Sequence, residues 1–149
     1  MRKLPDLYQQ ILKKLSPFYN VSYAVEASSS GDKDSLKLHA YMLSLVELFI
    51  FQYRKNNSQP FEPLRGDGAI RHILLTKYRL SFEEIDNLSF QQAVFILVKD
   101  LSPENFSVEI QDYLKTKATF SSYACIDWSL SVNWTLGDGA EFLLGHDFD

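Results

Sequence analysis

The sequence predicts a mainly α fold: a single domain over residues 1–149, with about six helices bundled around a buried central helix at residues 36–53. Three observations predict it. From Met42 to Phe51 the chain is apolar except for Ser44 and Glu47, so a helix there has almost no polar face and must be covered on several sides. Two consecutive Ser-x-x-Glu/Gln signatures, Ser81–Glu84 and Ser89–Gln92, read as reciprocal helix starts. Leu4, Leu7, Tyr8, Ile11, Leu12 and Leu15 recur at helical spacing near the amino terminus. A chain of 149 residues is about one domain, long enough to bury roughly two-thirds of its unfolded surface.

The elements follow in order. Residues 4–15 form a first helix, with Pro5 at N1, Asp6 in the first turn and Lys13 and Lys14 near the end, until Ser16-Pro17 stops it. Val21, Tyr23 and Val25 alternate with Ser22, Ala24 and Glu26, a short strand signal, before the Ser/Gly loop at 28–32. Asp34 or Ser35 caps the central helix, and Arg54–Pro60 is the next loop. Asp67 caps a short helix reaching Tyr78, with Ile70, Ile73, Leu74 and Lys77 on one face. A helix at Phe82–Asn87 precedes one at Phe90–Asp100, whose run Ala93–Val98 is assigned to the core. Ser102-Pro103-Glu104 opens a helix to Lys115 carrying Phe106, Ile110, Tyr113 and Leu114. Ile126–Trp134 alternates strictly, so an α+β variant with a small sheet from 21–26 and 126–134 competes, as does a helix or an extended ribbon packed on the bundle. Gly137-Asp138-Gly139 is a turn, followed by one helical turn at Ala140–Leu144.

Composition excludes several classes of function. The lone Cys125 rules out an internal disulfide and a multi-cysteine zinc site, and its apolar neighbours mark it as a buried, inert thiol. No apolar h-region follows Arg2 and Lys3, and Met42–Phe51 is too short to span a bilayer, so a cytoplasmic protein without membrane contact is expected. The net charge of −4 conceals a split: residues 1–79 hold 12 Lys/Arg against 7 Asp/Glu, and residues 80–149 hold 3 against 12. The second half is therefore suited to docking a basic partner, unless the two halves neutralise each other within the fold.

No catalytic kit emerges. His39 lies on the central helix as a structural histidine, His72 has Thr76 one turn on rather than a second ligand, and His146 sits with Asp147 and Asp149 in a polar end. Neither Gly66-Asp67-Gly68 nor Gly137-Asp138-Gly139 completes a phosphate or dinucleotide loop, so both read as turns. The expectation is no enzyme, no cofactor and no metal. The paired short helices have helix-turn-helix proportions, but the second offers only Gln91, Gln92 and Lys99 to a duplex in acidic surroundings, which disfavours nucleic acid. Glu83, Glu84 and Asp86, then Asp100, Glu104, Glu109 and Asp112, stand at helix starts or on outward faces, where they favour association with a basic surface. Aromatic residues make up 14% of the chain, and Trp128 and Trp134 have the character of interface anchors. The candidate partner-binding set is thus Glu83, Glu84, Asp86, Glu104, Glu109, Asp112, Trp128 and Trp134.

In size, acidity, absence of an export signal and lack of a catalytic motif, the chain resembles the cytoplasmic immunity proteins of bacterial contact-dependent growth inhibition and related polymorphic toxin systems. The resemblance is one of general character over the whole chain, with no shared motif. It implies a protein that binds one cognate toxin domain, often a basic nuclease, and blocks its active site. Two other classes compete: a phage- or plasmid-associated regulator binding nucleic acid or protein, and an enzyme of unrecognised type.

Overall fold

The computed structural model describes residues 7–19, 31–130 and 134–143. Its described residues form seven α-helices: α1 (Leu7–Leu15), α2 (Gly31–Asn57), α3 (Gly68–Thr76), α4 (Phe82–Asp86), α5 (Phe90–Ile96), α6 (Val108–Lys117) and α7 (Ala140–Leu143). Short 3-10 turns lie at Ser16–Tyr19 and Pro103–Asn105, and no strand occurs among the described residues. The protein is mainly helical and built on α2.

Helix α2 runs 27 residues, longer at both ends than the 36–53 expected. Asp34 and Ser35 therefore sit inside it and do not cap it. Leu36, Ala40, Leu43, Val46 and Ile50 are buried along one side and Met42, Leu48 and Phe49 along others, the pattern of a helix covered on several faces. Helix α1 lays Leu7, Tyr8, Ile11, Leu12 and Leu15 against it. Each such side chain contributes about 1.5–3 kcal/mol when removed from water. Helix α6 closes the other flank with buried Ile110 and Leu114, and its Tyr113 hydroxyl accepts the Tyr8 N–H at 3.0 Å.

Both Ser-x-x-Glu/Gln starts form complete capping boxes. Ser81 Oγ accepts the Glu84 N–H at 3.1 Å while Glu84 returns to the Ser81 N–H at 3.0 Å. Ser89 and Gln92 do the same at 3.1 and 2.9 Å. Asp67 is the N-cap of α3 but makes no side-chain cap bond, so its capping role fails even though the boundary holds. The helix expected from Ser102 to Lys115 is broken at Phe106–Ser107, because Ser107 caps α6 afresh through a 3.4 Å contact with the Ile110 N–H.

Two further expectations are corrected. Ala93–Val98 is not wholly core: Ala93 and Leu97 are buried, but Phe95 is 80% and Val98 60% exposed. Helix α5 lies on the surface and has one covered face, taken by Phe90, Ala93, Val94 and Leu97 at i, i+3, i+4, i+7. Gln91 and Phe95 occupy the opposite side, and Val98 is exposed in the turn that follows the helix. The alternating stretch from Ile126 does not pair as a strand over Ile126–Leu130, which turns at 127–130 with the Leu130 N–H on the Asp127 carbonyl. Its alternation is nonetheless met, since Ile126, Trp128 and Leu130 pack on the core while Asp127 and Ser129 face out. The expected strand at 21–26, residues 131–133, Leu4 to Asp6, Leu144 and the His146–Asp149 end lie outside the described residues.

Candidate partner-binding surface

The acidic second half is only partly neutralised from within. Arg71 of α3 pairs with Asp86 of α4, and Lys77 with Asp100 at 2.7 Å, so two basic side chains of the first half meet two acids of the second. Asp100, assigned above to an outward face, is instead 10% exposed at its side chain and also accepts the Tyr78 hydroxyl. Glu83, Glu109 and Asp112 are exposed and form no salt bridge among the described residues. Glu84 is exposed but engaged in its capping box, and the Ser81 N–H and hydroxyl hold its carboxyl below the ordinary range. Glu104 is exposed and accepts the Ser102 hydroxyl at 3.1 Å.

Apolar side chains share this part of the chain. Of the seven large apolar residues left exposed among the described residues, Phe82, Phe95, Val98, Val108 and Tyr123 fall between positions 82 and 123. Phe82 adjoins Glu83 and Val108 adjoins Glu109 at the starts of α4 and α6. The two tryptophans are placed differently from the exposed set. Trp128 is half-buried against Phe90, ring centroids 6.1 Å apart, and Trp134 is half-buried with its indole N–H covered and without a hydrogen bond. Phe95 and Val98 are not among the residues expected to bind, although the helical period that buries Ala93 and Leu97 already sets Phe95 on the outer face.

The buried polar groups of α2 are structural. Glu47 is 1% exposed and receives the N–H of Gly137 at 2.9 Å and of Gly139 at 2.7 Å. Burial pushes its carboxyl above the usual range, and the two glycine N–H bonds pull it back. A Cβ at Gly139 would stand 2.6 Å from Glu47 Oε1, so only glycine admits this approach. Gly137, at φ +96°, packs on Gly66, at φ +62°, so the two Gly-Asp-Gly turns are stacked. The only hint of this clamp in the sequence is an acid inside an apolar run.

His39 is buried, with Nδ1 2.8 Å from the Tyr19 hydroxyl, which also accepts the Asp127 N–H at 3.2 Å. The direction of the Tyr19–His39 bond follows the imidazole tautomer, since the hydroxyl can donate to Nδ1 or accept from it. Burial lowers the His39 pKa to about 4, opposed by the Asp127 charge. His72 Nδ1 lies 2.6 Å from the Tyr53 hydroxyl. Cys125 is exposed, contrary to the buried thiol expected, because the turn-bearing segment around it covers the core with Ile126, Trp128 and Leu130 instead. No group of three or more His, Cys, Asp or Glu side chains converges among the described residues, and no helix is long and apolar enough to cross a membrane.

No protein-family model, curated protein or solved structure matches the chain.

Proposed function

We propose that this protein is a cytoplasmic, toxin-neutralising immunity protein that binds a basic toxin domain, of nuclease type, and blocks its active site. The observation that carries the reading is the mixture of exposed acids that form no salt bridge among the described residues (Glu83, Glu109 and Asp112) and exposed apolar side chains (Phe82, Phe95, Val98 and Val108) within one span of the chain. Acids steer a basic partner into encounter and suppress wrong partners. Apolar side chains that shed water on contact supply the lifetime. Trp128 and Trp134 are half-buried and add their remaining exposed area to the contact. Asp86 contributes less charge than its neighbours because Arg71 already meets it.

The test is a binding and protection assay against the toxin domain encoded by the adjacent gene. The expected result is a 1:1 complex whose association slows as salt rises, together with rescue of growth when both genes are expressed. Failure to bind, or binding without protection, sinks the proposal. Retention on heparin with a steep salt slope would point instead to the nucleic-acid regulator.

A further inference from the structure

We infer that the cleft between the carboxyl-terminal half of α2, the end of α3 and residues 99–106 is a binding site for a small polyhydroxylated anion, a hydroxy acid or sugar phosphate. Its charged head would rest on Lys99 and Lys77, and its hydroxyls on the carboxamides. This site does not depend on the partner reading above.

The cleft has a volume of about 340 Å³, within the range of small-molecule sites. Helix α2 supplies Phe49, Gln52, Tyr53, Asn56 and Asn57, which are spaced along one face of a helix. The hydrogen-bonding capacity left over is rich in acceptors. The Gln52 carboxamide oxygen is buried and takes no hydrogen bond among the described residues, a group that native structures rarely leave orphaned. Asn105 spends its NH2 on the Lys99 carbonyl at 2.6 Å and the Asp100 carbonyl at 3.3 Å. Asn57 spends its own on the Tyr53 carbonyl at 3.0 Å. In both residues the amide oxygen remains to accept.

Charge selects the other half of the ligand. Asp100, the one carboxylate lining the cleft among the described residues, is occupied by Lys77 at 2.7 Å and the Tyr78 hydroxyl at 2.5 Å. Two ammonium groups against one carboxylate leave the cleft positive, and Lys99 forms no salt bridge among the described residues. Acceptors call for hydroxyls and the free ammonium calls for an anion. Phe49, Ile73 and Phe106 form the almost wholly covered floor of the cleft, under its polar groups.

The probe is glucose 6-phosphate, titrated into the isotope-labelled full chain and followed by NMR. Saturable shifts are expected at the side-chain amides of Gln52, Asn56 and Asn105. Glucose and inorganic phosphate should each bind at least about tenfold more weakly, since each lacks half of the recognised chemistry. Lys99→Gln, at an exposed position, should weaken glucose 6-phosphate about tenfold without disturbing the fold. Gln52→Leu should weaken it while leaving inorganic phosphate unchanged. Equal affinity for inorganic phosphate, no saturable shift in the millimolar range, or an unaltered titration in Lys99→Gln would overturn the inference.

Discussion

At Glu47 a carboxylate sits in the core with two backbone N–H groups closed on it, and single substitutions there read out the clamp. Glu47→Gln keeps one acceptor but turns an NH2 toward the other glycine N–H, so it should cost about 2 kcal/mol in urea unfolding. Gly139→Ala drives a methyl into Glu47 and should cost about 1–3 kcal/mol. An unchanged unfolding midpoint in both would show that the turn does not depend on the carboxylate. His39 supplies the pH dependence. Its folded pKa of about 4 lies below the ordinary 6.5, so the unfolded chain takes up the proton first as pH falls. Its stabilisation is full above pH 6.5 and is lost on the way down to about 4. The stability difference between wild type and His39→Gln should therefore shrink by about 3 kcal/mol between neutral pH and pH 4. A difference that stays flat, or a His39 resonance titrating near 6.5, refutes this.

At the scale of the element, helices α4 and α5 begin where two serines say they should. Ser81→Ala and Ser89→Ala should each cost about 1 kcal/mol. Ser107→Ala should cost less, because its contact with the Ile110 N–H is already long at 3.4 Å. A ranking that places Ser107 first would contradict these capping geometries. Helix α5 itself poses a sharper test, since Phe95 and Leu97 are near neighbours in sequence with opposite surroundings. Leu97→Ala should cost about 2–5 kcal/mol, whereas Phe95→Ser should stay within about 0.5 kcal/mol. If Phe95→Ser destabilises as much as Leu97→Ala, α5 is buried on both sides.

For the whole molecule, the acidic half keeps its charge outside even though Arg71 and Lys77 engage Asp86 and Asp100. Reversing Glu83 and Glu109 to lysine should slow association with a basic partner and flatten its salt dependence, while Phe95→Ser should mainly speed dissociation. Surface plasmon resonance across a salt series separates the two effects. Identical rate changes in both variants would mean that charge and apolar contact are not distributed as proposed.

What the sequence determined by itself is local. The capping boxes at Ser81 and Ser89 close within three residues, and the apolar stripe of α1 needs only the helical period, so neighbouring residues encode both. The long apolar run of α2 likewise demanded burial whatever covered it. The period of α5 also set Phe95 apart from Leu97, but a continuous apolar run hid the difference. Tertiary structure decided the rest. Helix α5 came to lie on the surface, and the stretch at 126–130 kept its alternating burial without a strand partner. Glu47 met two glycines some 90 residues away, the Gly-Asp-Gly turns stacked, and Lys99 was brought beside Gln52 across a cleft. These outcomes depend on which surfaces distant elements cover. Periodicity marks a face as apolar, but only long-range packing chooses the faces that lose their water.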